Sequence, residues 1–424
     1  MIAAIVLAAG SSTRMGLDTA AGGEVPSKAL LPLGAKTVIE RVVGSVRTAG
    51  VDRILVVTGH AADRLAPALD RLGVRHVHNA GHLAGMFSSV QTGVRALDQE
   101  TDAFFVLPVD YALIRPQVLE LLVRPHRGEL TAAGPAAILH PTCCDVRGHP
   151  PLIPARYREE LLSAEGDDGL RGFLRRHAAD EHEVEVNDLT ILLDMDTRDD
   201  YERMVRLAAR IGGAATDAVP VKSQAERHAA GSPPPVVPTT TRGLSDDDSR
   251  YLRTILQPEE DRVRHCETVA AVATALAGRL HEHVPTLDVQ LTRSAGLLHD
   301  MCKGRNKHAL TAQHLLTGLG LARLGEVVGA HMVMPPEKLD PPGLNEEQLL
   351  YLADKIVVKD RVATIAERAE RSMAKQAHNP DGMQAAVDRT AVARKIAGRV
   401  ETLLGRPFED VMLEIRANLP ATER

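Results

Sequence analysis

Two sets of residues carry the chemistry in this sequence. In the first half, a small-residue loop, LAAGSSTRMG, follows an apolar run, with Leu7, Ala8, Ala9 and Gly10 leading into Ser11, Ser12 and Arg14. A loop of this kind lets backbone N–H groups approach phosphate oxygens closely. The two serines add hydroxyls, and Arg14 adds a cation that can clamp a triphosphate. A plain strand-to-helix turn is the alternative. Lys28, in VPSKALLPL, offers mobile positive charge to an α-phosphate, or else is a solvated surface lysine. Asp110 closes the run FFVLPVD. A carboxylate at the end of an apolar strand needs a partner, and Mg²⁺ bridging to phosphate oxygens supplies one. Capping the next helix is the competing role, weakened because Tyr111 and Ala112 intervene before a helix that starts near Arg115. In LLDMDTRDDYERM, Asp194 and Asp196 point the same way on an extended segment. Asp196 is expected to complete the magnesium shell, and Thr197 or Asp199 to cap the helix that follows.

The second set lies in the other half. His265 is followed by the adjacent pair His299 and Asp300 in LLHDMCK, then by Asp354 in LADK. Imidazole and carboxylate ligands suit a divalent transition metal such as Fe, Mn or Zn. A single histidine on an apolar helix is more often a satisfied core residue. An adjacent His–Asp pair buried without metal would leave charge and lone pairs uncompensated.

Different elements must position the two sets. AAIVLAAG, RILVVTG and AFFVLPVD are short, apolar and bounded by Gly, Pro or Asp, as strands buried on both faces are. Between them, TVIERVVGSVRTAG and ADRLAPALDRLG carry apolar residues three and four apart. This alternation predicts an α/β, Rossmann-like, mostly parallel sheet over residues 1–211, with ligands at the carboxyl ends of its strands. Residues 212–248 are rich in Pro, Thr, Gly and Ser and read as a flexible linker. Residues 249–424 show helix-period patterns and no strand signal of comparable strength, which predicts an all-α domain with its metal site in a bundle core.

Bulk composition fits two domains. The chain has 424 residues, a hydrophobic fraction of 44%, a charged fraction of 25% and a net charge of -6. That balance argues against a nucleic-acid partner, and no apolar run is long enough to span a bilayer. The apolar start has no positively charged preceding region and runs straight into the Gly/Ser loop, so it reads as a first strand and not a leader. Four cysteines, with Cys143 and Cys144 adjacent, do not form a disulfide framework, which suggests a reducing cytoplasmic setting.

LAAGSSTRMG, the lysine before Leu-Leu-Pro-Leu, NAGHLAGMFSSVQTGV, LPVD, GHPPLI, GDDGLRGFLRRH and DMDTRDDY occur in that order. Together they resemble the MobA-like nucleotidyltransferases, and among them the molybdenum cofactor cytidylyltransferases. The resemblance covers roughly the first two hundred residues. It implies CTP or another NTP as donor, a molybdopterin-type acceptor, Mg²⁺, pyrophosphate as product, and an apo-molybdoenzyme as a further partner. It places Gly85, Met86, Ser88 and Ser89 at the base and ribose, and Gly148, His149 and Pro150 at the acceptor. Ala8-Ala9-Gly10 is closer to the cytidylyl branch than to the guanylyl branch, whose loop has a second glycine. The insertion LDTAAGGEVPS before Lys28, Pro-Val-Asp in place of Gly-Asp, and GDDGLRG in place of Gly-Asp-x-Gly-Ala-Arg depart from the pattern. They leave a sugar or polyol phosphate open as acceptor, and a chaperone role for molybdoenzymes as an alternative. Cys143 and Cys144 sit just before GHPP, where a thiol pair would face a dithiolene-bearing acceptor; simple burial is the preferred reading.

The order His265, His299, Asp300, Asp354 resembles the HD superfamily of metal-dependent phosphohydrolases, over roughly residues 262–371. The resemblance implies that a metal-activated water attacks phosphorus, with Asp300 both ligating and orienting that water. His308 and His331 fall where some members carry extra histidines for a second metal, and Lys303 where a phosphate contact is expected. Met332 stands where dinuclear members with the fullest ligand set have another histidine, so one metal or two remains open. A regulatory domain with little turnover is the alternative. His281, His283 and His314 receive no role.

Overall fold

The apolar run IAAIVLA has no polar side chain to offer water, so it is stable only when covered on both faces. It forms β1 (Ile2–Ala8) near the middle of an eight-stranded sheet. The computed structural model describes residues 1–11, 15, 27–128, 137–164, 169–214, 243–339 and 343–419. Within these the chain forms two compact units, Met1–Gly213 and Ala214–Arg424. The expected nucleotide contacts Ser12 and Arg14, and most of the expected 212–248 linker, lie outside the described residues. The two ends of that linker are helical rather than irregular, since one helix runs on to Ala214 and another begins at Asp246.

In the first unit, β1 is followed by a short hairpin of β2 (Pro32–Leu33) and β3 (Lys36–Thr37), then α1 (Val38–Thr48), β4 (Arg53–Thr58), α2 (Ala62–Leu72) and β5 (Arg75–His78). Next come α3 (Met86–Ala96), β6 (Ala103–Pro108), α4 (Pro116–His126), β7 (Ile138–Cys143), β8 (Val146–Arg147) and β9 (Leu152–Pro154). The unit ends with α5 (Arg158–Ser163), α6 (Gly169–Arg176), β10 (Glu181–Glu185) and α7 (Arg198–Ala214). The sheet order is β10-β7-β9-β6-β1-β4-β5, with β8 paired to β7. β1 is parallel to β4 and to β6, with Ala8 opposite Thr58 and Leu7 opposite Pro108. β9 runs antiparallel to both β6 and β7, which makes the sheet mixed. The three strands legible in the sequence are β1, β4 and β6, all strongly apolar. β5 (RHVH) and β10 (EHEVE) lie at the two edges with mostly exposed side chains, so neither carries a burial signal.

Local chemistry fixes the helices. Thr37 and Glu40 form a reciprocal capping box at the start of α1. α3 starts at Gly85, whose φ of 98° is in glycine's own region. Gly93 lets α3 lie flat on the sheet, because a Cβ there would fall 2.4 Å from Ile5 Cγ2. The core beneath contains Ile5, Val57, Val94, Phe104, Ile153 and Phe173.

The second unit contains α8 (Asp246–Thr254), α9 (Glu260–Leu280), α10 (Val289–Leu298), α11 (His308–Gly318), α12 (Ala322–Gly329), α13 (Pro336–Leu339) and α14 (Glu346–Lys355). After a two-residue antiparallel ribbon, β11 (Val357–Val358) with β12 (Arg361–Val362), come α15 (Ile365–Lys375), α16 (Pro380–Leu404) and α17 (Phe408–Asn418). The unit is helical as expected, apart from that ribbon. Its centre is the pair α9 and α10, which cross with almost no space between backbones. A Cβ on Gly296 would fall 2.4 Å from Ala270 Cα, a main-chain atom that cannot swing aside. Buried Arg253 ties α8 to α9 through Glu267, with Nη2 2.7 Å from Oε1.

Gly296→Ala is therefore expected to lower stability by about 2 kcal/mol through overpacking. Urea unfolding of the variant and the parent checks this; an unchanged midpoint would show that the helices have room to separate.

Candidate functional site

The first site lies at the carboxyl end of the sheet. Asp110 follows β6 by two residues, and Lys28 opens a 3₁₀ turn, Lys28–Leu30, capped by Ser27. Lys28 Nζ is 2.6 Å from Asp110 Oδ2 and 3.4 Å from Asp196 Oδ1. The other oxygen of Asp110, Oδ1, is buried with no hydrogen-bond partner among the described residues. Asp110 does not cap α4, whose N-cap is Arg115. Leu193 and Met195 are buried and alternate with Asp194 and Asp196, so the two carboxylates share a side. Burial raises the Asp194 carboxyl, and Asp196, Asp110 and Asp200 raise it further. Asp194 therefore belongs to the same acidic group, which its spacing from Asp196 had allowed. A bound cation would partner the orphaned carboxylate oxygen and relieve the repulsion that pushes the Asp194 carboxyl up, so these residues fit a divalent cation. Thr197 and Asp200 bond reciprocally at the start of α7, so Thr197 is the cap and Asp199 is not.

The loop after β5 is braced from inside. Buried Asn79 donates to Ser88 Oγ (2.8 Å) and Ser89 Oγ (2.9 Å) and accepts from Gly81 N–H (2.9 Å). Ser88 in turn donates to Gly85 O (2.8 Å). The serine hydroxyls thus shape the loop, while Met86 is exposed at its rim. Sequence reasoning passed over Asn79; its place at the end of a strand, before Ala-Gly, was the available signal. Leu7, Ala8 and Ala9 are buried where β1 ends, and Ala9 packs so tightly on Gly59 that a Cβ there would meet Ala9 O at 2.5 Å. Gly10 is exposed and Ser11 partly so.

The segment expected on the acceptor side, Gly148 to Pro150, is threaded through a narrow gap. Gly148 N–H donates to Pro141 O and His149 N–H to Ile191 O, each at 2.9 Å. A Cβ on Gly148 would fall 2.4 Å from Ile191 O, so only glycine fits. Pro150 is buried beside it. The His149 ring lies 4.4 Å from that of Tyr111, and burial brings the imidazole down to about 4 against the pull of Asp110. Cys143 is buried and Cys144 partly so.

The second site is assembled from five helices, α9, α10, α11, α12 and α14. His265 on α9, His299 just past α10, and Asp354 on α14 form one group; Asp300, His308 and His331 form another. Within each group the candidate ligand atoms lie within 4.8 Å of one another. Asp354 Oδ1 is 3.3 Å from His265 Nε2 and 3.8 Å from His299 Nε2. Asp300 Oδ2 faces the same two imidazoles at 3.8 and 3.6 Å, while its Oδ1 is 3.4 Å from His308 Nε2 and 3.6 Å from His331 Nε2. One carboxylate thus bridges both groups. The Nδ1 atoms of His265, His299 and His331 lie 2.7–2.8 Å from the carbonyls of Lys359, Gly296 and Val328. Donating there leaves each Nε2 lone pair pointing inward, the tautomer a metal ligand requires. Buried His299 Nε2 has no hydrogen-bond partner among the described residues, and burial brings that imidazole down to about 4 despite Asp300. Burial works to raise the Asp354 carboxyl, but Lys355 and the histidines hold it well below its usual range. Lys303, half exposed, donates to Asp300 Oδ2. Ionised carboxylates and inward lone pairs fit one or two divalent metal ions.

Comparison with known proteins agrees with this division. Residues 4–182 match the family described as MobA-like NTP transferase domain, and residues 262–359 match the HD domain. The chain is similar to the bifunctional protein GlmU of Trichormus variabilis, at 33% identity over 133 residues, 31% of this chain. It spans only 28% of that relative's length. It is also similar to nicotine blue oxidoreductase of Paenarthrobacter nicotinovorans, at 28% identity over 49% of this chain and 96% of that protein. A solved nucleotidyl transferase from Methanothermobacter thermautotroptrophicus is 28% identical, with a TM-score of 0.42, and covers 50% of this chain and 98% of its own. The chain joins a MobA-like NTP transferase domain at its N-terminus to an HD domain at its C-terminus. Among the described residues no helix is long and apolar enough to cross a membrane.

Because Asp300 serves both groups, Asp300→Ala is expected to strip the HD domain of metal, whereas His308→Ala keeps one ion in that domain, both measured with Asp110→Ala in the background so that the sheet site takes none. Elemental analysis of protein loaded with Mn²⁺ separates the outcomes; full metal content in Asp300→Ala would refute the bridging role.

Proposed function

We propose that the first unit transfers a cytidylyl group from CTP to a molybdopterin-type phosphate, and that the second is a metal-dependent phosphohydrolase. The first reading is carried by Lys28 held between Asp110 and Asp196, beside an Asp110 oxygen with no partner. A lysine among three carboxylates at a sheet's carboxyl edge suits nucleotidyl transfer, where cation and acid groups handle phosphate charge. Hydride transfer has no use for it, so the oxidoreductase among the relatives does not supply the reading.

An acceptor phosphate oxygen attacks the α-phosphorus in line, the bond to the bridging oxygen breaks, and pyrophosphate leaves. Mg²⁺, when bound, neutralises charge on the phosphates. Asp110 and Asp196, with Asp194 beside them, would hold it. Lys28 faces the oxygens on the α-phosphorus, and Arg14 serves the leaving pyrophosphate. The loop of Gly85 and Met86 contacts base and ribose, and Gly148, His149 and Pro150 line the acceptor side. The Ala8-Ala9-Gly10 start, closer to the cytidylyl than to the guanylyl branch, supports CTP as donor.

In the HD domain, Fe, Mn or Zn, when bound, would polarise a water and a phosphoryl oxygen. His265, His299, Asp300 and Asp354 would hold one ion, and Asp300, His308 and His331 a second. Asp300 also orients the attacking water, and Lys303 is placed to meet substrate phosphate. Two ligand groups sharing one carboxylate support turnover over a purely regulatory role.

Asp110→Ala is expected to cut CTP-dependent pyrophosphate release at least ~100-fold, the scale of losing electrostatic stabilisation of the transferred group, while hydrolysis of a phosphodiester test substrate is unchanged. A screen of CTP, GTP, ATP and UTP with and without molybdopterin checks donor and acceptor together. Wild-type rates in Asp110→Ala would overturn the site, and release that ignores molybdopterin would overturn the acceptor.

A further inference from the structure

One ammonium group touches both halves of the histidine–aspartate centre. Lys355, the last residue of α14, has a side chain only 11% exposed. Its Nζ donates to Asp354 Oδ2 and, at 3.1 Å, to the main-chain oxygen of His331. It also lies 4.8 Å from the ring centroid of Tyr351, one turn earlier on the same helix. The partner of the first bond faces His265 and His299 through its other oxygen, Oδ1. The partner of the second bond belongs to the group of Asp300 and His308. Lys355 is thus committed to internal partners, in contrast to Lys303, whose side chain is 50% exposed and can reach a substrate.

We propose that Lys355 is a positioning residue that couples the two metal groups. It ties down one oxygen of Asp354, so that this carboxylate offers a single oxygen to His265 and His299's ion. It also fixes the turn that presents His331. The inference rests on the reading of both groups as metal ligands. Without the ammonium, Asp354 is free to rotate and chelate with both oxygens, drawing the first ion away from the bridging Asp300. The carbonyl of His331 is released in the same step, so the second group loses its angular restraint. Loss of an outer partner of a ligand typically weakens metal binding roughly 10–100-fold.

The test uses the full chain and Mn²⁺ alone, with Asp110→Ala in every protein so that the sheet site takes no ion. Two Mn²⁺ ions that share a carboxylate are magnetically coupled, whereas a single ion gives an isolated six-line spectrum. With two equivalents of Mn²⁺ the parent protein is expected to show the coupled signal. K355M, close in length but uncharged, is expected to bind its second ion roughly 10–100-fold more weakly and to show the isolated spectrum. K355R, which keeps the charge, restores part of the coupling. K355Q is the second neutral variant, and thermal melting of the metal-free proteins shows that each is folded. A coupled signal and parental second-ion affinity in K355M or K355Q overturn the proposal. Loss of fold in both makes Lys355 a purely structural residue and overturns it too. A parent protein that binds no Mn²⁺ overturns instead the reading of the two groups as metal ligands.

Discussion

Three main-chain carbonyls, at Gly296, Val328 and Lys359, decide what the helical unit can do. Each accepts from the Nδ1 atom of a histidine, so each Nε2 turns its lone pair into a common space. A histidine whose inner nitrogen carried the proton would be inert toward a metal. The carbonyls can do this because they sit at helix ends and in the turn beside the ribbon, where the backbone has acceptors to spare. Gly296 has a second part in this, since its missing side chain lets α10 approach α9 closely enough for His299 to face His265.

The sheet unit answers the same constraint in a different way. Carboxylates gathered at a strand end repel one another and resist burial. Lys28 sits between Asp110 and Asp196, and the backbone around Gly148 is locked to the turn that leads into Asp194 and Asp196. The acidic group and the segment next to it are therefore held by one set of short main-chain bonds.

Much of this was legible in the sequence because the signals are strong and local. Buried strands such as β1 and β6 are apolar on both faces, and the spacing of Asp194 and Asp196 reads directly as shared direction. The pair His299–Asp300 stood out because burying it without a partner would leave charge and lone pairs uncompensated. What stayed hidden depends on partners distant in sequence. β5 and β10 are edge strands with polar residues, indistinguishable from loops by pattern. Asn79 and Lys355 act through hydrogen bonds to other segments, so neither type nor spacing marks them. Whether His308 and His331 meet at all is a question of how α11 and α12 fold back, and only the structure brings their Nε2 atoms within 3.3 Å.

Both centres carry their own counterions. Lys28 stands among the acids of the sheet, and Lys303 and Lys355 stand against the aspartates of the helices. A protein that depends on an ion to neutralise its interior cannot mature until the ion arrives. Here an ammonium group already stands beside a carboxylate in each centre, so folding need not wait for an ion to arrive.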